Sequence, residues 1–440
     1  MTTEAPPPRD DAEGENAPEL SRAVVHDDVS HPRRKVARRV PRWSEVRPLL
    51  RLRRPEPSLT KRRLSRAHTI DDLRAVASRR TPRSVFDYVD GAAEQEISIE
   101  RAREAFRRVE FSPRVLRNVA EVDASVEVLG QRAALPLVLA PTGFTRMMHH
   151  EGEVAVASAA ARAGVPYVLS TMGTTSLEDV RATAPTARQW FQLYLWKDRR
   201  GSVDLIQRAV EADYEALVLT VDTPVGGARL RDVRNGLTIP PTLTARTLAG
   251  MAVHPSWWAN LLTTEPLSFA SLSNFDGTVE QLIAQMFDPT AGREDLAWLR
   301  GKWPRKLVVK GIQSVEDARA VADLGADALV VSNHGGRQLD RAPTPLELLP
   351  RVAEAVGDRC EVLLDTGVRN GADLVAAKAL GASAAMVGRA YLYGLMAGGE
   401  AGVTRALDIF RAETVRTLQL LGVTRADELS PEQVRLRHEG

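Results

Sequence analysis

The chain has 440 residues, 44% hydrophobic and 26% charged, an ordinary globular balance with ample material for a large core. Its net charge is only +2 but unevenly spread: residues 1–20 carry six acids and one base, whereas residues 33–66 carry twelve Arg, two Lys and two Glu, net +12. A single cysteine, Cys360, excludes an internal disulfide, a CxxC site and c-type haem attachment, and no run of 18 apolar residues offers a transmembrane helix.

Residues 1–30 are rich in Pro, Glu and Asp and are expected to be disordered. They lack the apolar core of a secretory signal, so the default is a cytoplasmic protein, soluble or peripherally attached to the membrane. The Arg-rich arm, 33–66, reads first as a solvated linker. A second reading is attraction to anionic lipid, where each basic residue contributes about 1 kcal/mol. No aromatic interleaving or binding motif accompanies the charge, so nucleic acid is not an expected partner. Residues 1–68 are therefore set apart as an arm, 69–430 as the folded domain and 431–440 as a tail.

Order is expected from Thr69, placed to cap a helix beginning Ile70-Asp71-Asp72-Leu73. Pro82 can open a second helix at its first position, leading into Phe86–Ala93. Residues 109–134 read as short strands and turns. From Leu135 an alternation sets in. Strands are predicted over Leu135–Pro141, Tyr167–Thr171, Gln189–Leu195, Ala216–Asp222, Lys306–Gly311, Ala328–His334, Val362–Gly367 and Ala384–Arg389. Helical patterns lie between most of them, as in Glu151–Ala163, Val203–Ala212, Val315–Leu324, Leu346–Val356 and Gly371–Leu380. This alternation points to an α/β fold, a (β/α)8 TIM barrel. The competing doubly wound sheet lacks a GxGxxG after its first strand. One connection, 223–305, is far too long for a simple turn and holds Trp257-Trp258; it follows the fourth strand and can fold over the barrel mouth. Beyond Arg389 the chain reads as helical.

Chemistry in such barrels collects at the C-terminal ends of the strands. Those ends read Pro141-Thr142-Gly143, Ser170-Thr171-Met172, Gln192 with Tyr194, Thr220-Val221-Asp222, Lys310-Gly311, Ser332-Asn333-His334, Asp365-Thr366-Gly367-Val368-Arg369 and Gly388-Arg389. The last two suit a phosphate, held by backbone N–H groups and nearby cations. Of eight histidines only His334 lies at a strand exit. As a general base it needs an orienting carboxylate, for which Asp222 is the candidate. Arg337 and Arg229, the latter in the loop after the fourth strand, can together grip a carboxylate. Lys310 leaves an apolar strand; it could neutralise an anionic cofactor ring or form a structural ion pair. His149-His150 show no third ligand nearby, so no metal site is expected. Cys360 is not at a mouth position, against a cysteine-nucleophile barrel.

SNHGGRQLD, FQLYLWKDR, LTVDTP, LVVKG, DTGVRNG and VGRA resemble the FMN-dependent α-hydroxy-acid dehydrogenase/oxidase family, over about Thr69 to Leu421. The stretches GARLRDVRNG, LLTTEPLSFASL and RAYLYGLMAGGEAGV most resemble its actinobacterial L-lactate dehydrogenase branch. The resemblance implies His334 as base with Asp222 as partner, Arg337 and Arg229 as carboxylate clamp, and Tyr88 and Tyr194 as substrate contacts. It implies FMN contacts at Pro141, Thr142, Gly143, Ser170, Gln192, Thr220, Lys310 and Ser332, and phosphate contacts at Asp365, Thr366, Gly367, Val368, Arg369, Gly388 and Arg389. Lys310 would then stand by the flavin's N1–O2 edge. The implied reaction is oxidation of L-lactate, or a similar small L-2-hydroxy acid, to the 2-oxo acid. Electrons would pass to quinone or cytochrome; Trp257-Trp258 and the basic arm would suit a membrane surface, with packing of the tryptophans within the loop an equal reading. An oxygen-using oxidase, a lactate monooxygenase and an FMN-barrel isomerase are the alternatives. The family's frequent homotetramer is implied too. Four positions depart from its pattern: Met172 for Trp, Gly143 for the Ala of many oxidases, Ala92 for Gly, and Thr366 within Asp-Thr-Gly for Asp-Gly-Gly. Residues 1–68 are too short and polar for the haem-binding domain of the family's fused flavocytochrome members, so none is expected there.

Overall fold

A computed structural model describes residues 38–50, 56–236, 252–272 and 285–437. The expectation of disorder over 1–30 falls outside them, as do parts of the arm and of the long loop. The chain divides into two compact units, Met1–Pro55 and Glu56–Gly440. In the first, a short helix, Trp43–Val46, runs into a single turn, Arg47–Leu49.

The second unit is built on eight parallel strands closed into a barrel. They are β1 (Leu137–Leu139), β2 (Tyr167–Ser170), β3 (Gln189–Leu193), β4 (Ala216–Thr220), β5 (Lys306–Ile312), β6 (Ala328–Val331), β7 (Glu361–Asp365) and β8 (Ala384–Val387). Each pairs with its sequence neighbours, and β8 returns to β1. These strands are nearly continuous apolar runs because both faces are covered, the inner by the packed barrel and the outer by helices. Every residue of β2, β3, β4 and β6 is buried. All eight lie where the alternation places them; β5 runs one residue further than predicted, to Ile312, and the other seven end one to three residues sooner. Of the polar residues read as strand ends, Ser170, Gln192, Thr220, Lys310 and Asp365 lie within the strands, and the rest lie just beyond them.

Helices Gly152–Ala163, Arg199–Glu211, Val315–Asp323, Pro345–Val356 and Gly371–Ala379 wrap the barrel. The Thr69 hydroxyl accepts from Asp72 N, and the Asp72 carboxylate reaches back to Thr69 N, completing a capping box. Pro82 stands one place outside its helix, Arg83–Asp90.

Two boundaries differ from the reading of the sequence. Order begins before Thr69: Ser58 caps a helix, Leu59–Leu64, whose Leu64 is buried. Arg405 then ties this segment down by donating to the Ala67 carbonyl at 3.0 and 2.8 Å. Residues set apart as a tail contain a strand, Val434–Leu436, paired antiparallel with Val109–Phe111. Each is short and uninformative alone; the pairing partner lies over 300 residues away in sequence, beyond the reach of local pattern.

The final helix, Arg389–Leu421, starts directly after β8 and kinks at Gly398-Gly399. In the long loop after β4, the described parts hold helices Leu230–Asn235, Pro255–Leu262 and Arg293–Lys302. Trp257 is buried and donates to the Met147 carbonyl at 3.0 Å, so it is packed within the protein rather than offered to a membrane. Val253 and Leu262 beside it are exposed. Among the described residues no helix is long and apolar enough to cross a membrane.

Candidate active site

The loops leaving the barrel converge on a cavity of about 330 Å³. All the residues singled out from the sequence line it except Asp222, Lys310 and Ser332, which reach it through His334 and Asp365.

His334 opens a one-turn helix after β6 with φ of +59°, in the left-handed region. Its backbone N donates to Ser332 Oγ at 3.0 Å. Gly335 and Gly336 follow at positive φ, which glycine adopts without a Cβ penalty. The turn thus reverses within three residues and brings Arg337 to the same mouth. His334 Nδ1 lies 2.9 Å from Asp222 Oδ1. A carboxylate there fixes the proton on Nδ1 and leaves Nε2 as the acceptor. Burial holds the imidazole below its usual range, outweighing the opposing pull of Asp222. The ring is therefore neutral near pH 7 and able to take a proton.

Arg337 donates to the Tyr88 and Gly91 carbonyls, and its guanidinium sits 4.9 Å from the Tyr88 ring centre. Burial first, and then the neighbouring charge of Arg229, push it down to about 9. Arg229 has a buried Nε without a partner and, among the described residues, no ion pair. Two cations facing one cavity without a paired carboxylate form an anion site. Arg231, two residues on, is not part of it: it bridges Asp90, Asp87 and Glu96.

At the other side, Arg389 donates to the Val89 and Gly91 carbonyls at 2.9 and 2.7 Å. It begins the last helix, whose N-terminal N–H groups carry positive potential. Burial first, and then the nearby charge of Arg369, lower Arg103. Thr366 has φ of +84°, a strained value for a β-branched residue. Its hydroxyl accepts from Gly335 N at 3.0 Å and joins the loop after β7 to the His334 turn.

Lys310 and Asp365 form a buried ion pair, Nζ to Oδ2 2.7 Å. Ser332 bridges them, accepting from Lys310 at 3.0 Å and donating to Asp365 at 2.9 Å. Burial disfavours both charges, but each partner outweighs it, so Lys310 is raised and Asp365 lowered.

Several contributors were not assigned from sequence. Gln338 donates to the Val225 and Asp222 carbonyls and accepts from Gly227 N, pinning the loop that carries Asp222 and Arg229 onto the His334 turn. Its signal was present, since it lies inside SNHGGRQLD. Asp90 collects Arg74, Arg231 and the Tyr393 hydroxyl. Phe287 packs edge-on against Tyr194 at 5.4 Å, and nothing local in the sequence marks it. Outside the cavity lining, Glu151 supplies the third group that His149-His150 lacked, with ligand atoms of the three within 4.8 Å. Its carboxylate already accepts from Glu400 N at 2.7 Å, and Arg80 adds positive charge beside His149.

A (β/α)8 barrel with its cavity at the strand exits, cationic at two places and holding a neutral histidine, is the frame of an enzyme acting on a small anion beside a phosphorylated cofactor. The FMN-dependent dehydrogenase family model matches residues 77–436. A Mycobacterium tuberculosis protein named "Putative L-lactate dehydrogenase" is 57% identical over 91% of this chain and 96% of its own length. An L-lactate dehydrogenase of Caulobacter vibrioides is 44% identical over 80% of this chain and 93% of its own. The crystal structure of the monotopic membrane protein (S)-mandelate dehydrogenase superposes with a TM-score of 0.81 at 37% identity, covering 84% of this chain and all of that one. The chain belongs to the FMN-dependent dehydrogenase family, and it is an enzyme with FMN as its cofactor.

The residues present fit that cofactor. Gln192 fixes its carbonyl by accepting from Ser170 Oγ and Thr171 N, which leaves a buried Nε2 donor without a partner facing the cavity. Such a group needs an acceptor from a ligand. Arg369, Arg389 and the helix N-terminus match a phosphate.

Proposed function

We propose that this enzyme oxidises L-lactate, or a similar small L-2-hydroxy acid, to the 2-oxo acid. The observation that carries the reading is the His334–Asp222 pair, 2.9 Å apart, opening on the same cavity as the unpaired Arg229 and Arg337. FMN, when bound, supplies the two-electron acceptor. Gln192, Ser170, Thr220 and the Pro141–Gly143 backbone would hold its ring, and Arg369, Arg389, Gly367 and Gly388 its phosphate. Arg229 and Arg337 bind the substrate carboxylate, which fixes the 2-hydroxy carbon relative to His334. Tyr88 and Tyr194 line the substrate's space. His334 Nε2 accepts the proton that leaves the substrate, and Asp222 stabilises the resulting imidazolium through Nδ1–H. The half-buried arginines and the buried Tyr88 and Tyr194 limit the access of bulk water to the clamp.

The electron acceptor is assigned as a quinone or cytochrome at a membrane surface, reached by peripheral association. Support comes from the exposed Val253 and Leu262 in the long loop after β4 and from the monotopic mandelate dehydrogenase among the similar structures. The test is anaerobic addition of L-lactate to the FMN-loaded protein. Bleaching of the flavin absorbance is expected; no bleaching with any small 2-hydroxy acid would refute the reaction. Admitting air to the reduced enzyme then separates acceptors, slow reoxidation supporting the dehydrogenase and rapid reoxidation an oxidase.

A further inference from the structure

The Asp222 carboxylate is held by few contacts. Oδ1 meets His334 Nδ1, while Oδ2 is buried and has no hydrogen-bond partner among the described residues. A carboxylate that orients a base must keep a single position, and with one oxygen free the position falls to packing. The packing surface is Gly311, the residue after Lys310. A Cβ built there would stand 2.7 Å from Asp222 Cβ, 2.8 Å from Cγ and 2.9 Å from its backbone N. Two of those atoms cannot swing aside by a change of rotamer.

We propose that Gly311 is a positioning residue: a bulged glycine in β5 forms the slot in which the Asp222 carboxylate stands against His334. Three observations support it together. Gly311 has φ of +113°, a conformation that side chains with a Cβ rarely adopt. The β5–β6 register shifts between Lys310 and Ile312, so the extra residue of the bulge lies at 311. Both flanks are pinned, Val221 N donating to the Lys310 carbonyl at 2.9 Å and Ser332 N to the Ile312 carbonyl at 3.1 Å. The bulge cannot retreat without breaking the ladder on one side, so an added methyl displaces Asp222. The same bulge re-aims the chain so that Lys310 points to Asp365 while the next residue makes room for Asp222.

The inference rests on His334 being the base, and the variants separate the two. G311A, D222N, G311A/D222N and H334A are prepared as FMN-loaded full chains, and anaerobic flavin reduction by L-lactate is followed across pH. The charged groups facing His334 are Asp222, which favours its protonation, and Lys310 and Arg229, which oppose it. Displacing Asp222 leaves the last two, so His334 gives up its proton at lower pH. G311A is expected to keep FMN and to reduce about 10²-fold more slowly, as misplacement by about 1 Å at a catalytic pair does. Its acid limb should move to lower pH, as in D222N. In the D222N background, G311A should add no more than about twofold, since the coupled group is already gone. A near-normal rate in G311A, loss of FMN, an unmoved acid limb, or an undiminished cost in D222N would each overturn the role of Gly311. Normal reduction by H334A would instead overturn the base itself.

Discussion

Removing Lys310 as Lys310→Met tests the electrostatics beneath the site. Lys310 and Asp365 are 4% and 9% exposed, and the pair is 2.7 Å apart. Methionine fills most of the volume but leaves Asp365 as a buried charge without its cation, a loss of about 3–5 kcal/mol. The carboxylate can escape that cost by taking a proton, which sets a ceiling of 1.36 kcal/mol per pH unit above the unfolded Asp value of about 3.9. The ceiling is about 1.5 kcal/mol at pH 5 and above 5 kcal/mol at pH 8. The variant should therefore lose about 3–5 kcal/mol at pH 8 but no more than about 1.5 kcal/mol from this source at pH 5. The wild type should show no such dependence. Its depressed Asp365 contributes stability above about pH 3.9, lost as pH falls through the lower folded value. Its raised Lys310 contributes below about pH 10.4, lost as pH rises through the higher folded value. Both contributions are complete between pH 5 and 8. Denaturant unfolding of wild type, K310M and K310M/D365N at the two pH values measures this, the double variant recovering most of the loss. A cost under about 1 kcal/mol at pH 8, or one equal at both pH values, refutes the reasoning.

Arg337→Met should lower kcat/KM for L-lactate by about 10²–10³-fold, the loss of one arm of a desolvated clamp, with the bound-flavin spectrum kept. Steady-state kinetics with absorbance of the purified protein checks both. Because burial lowers the His334 value, kcat/KM should be flat between about pH 7 and pH 8 and fall on the acid side only below about pH 6.5, with an alkaline fall as Arg337 loses its charge at about 9; an acid limb centred above pH 7 would contradict a neutral buried base. Thr69→Ala removes the capping-box hydroxyl and should cost about 1 kcal/mol in unfolding experiments, with kcat untouched.

Much of the site was legible because barrel chemistry is confined to strand exits, and exits are visible where an apolar run meets glycine or a polar residue. His334, Arg337, Asp365 and Gly388 are found that way. Lys310 shows where this stops. An apolar strand ending in lysine left a cofactor contact and a structural ion pair equally open, and the structure pairs it with Asp365 without lining the cavity. Trp257 was left open in the same way: two adjacent tryptophans in a long loop suited a membrane surface or packing within the loop, and one is buried on the Met147 carbonyl. Neither outcome is encoded in local pattern, because each depends on which distant backbone group lies opposite.

Periodicity, strand-end chemistry and the spacing of His334 from Arg337 were determined by the sequence itself, since they follow from short-range geometry: a two-residue repeat, a 3.6-residue repeat and the freedom of glycine. Only the closed barrel decided that Asp222 would meet His334 across 112 residues, and that Arg229 would face the same cavity as Arg337. It also decided that Gly311, unremarkable in LVVKG, would leave room for one carboxylate. Those are contacts between loops of different strands. Barrel closure and register set their distances, and no window of sequence contains both partners.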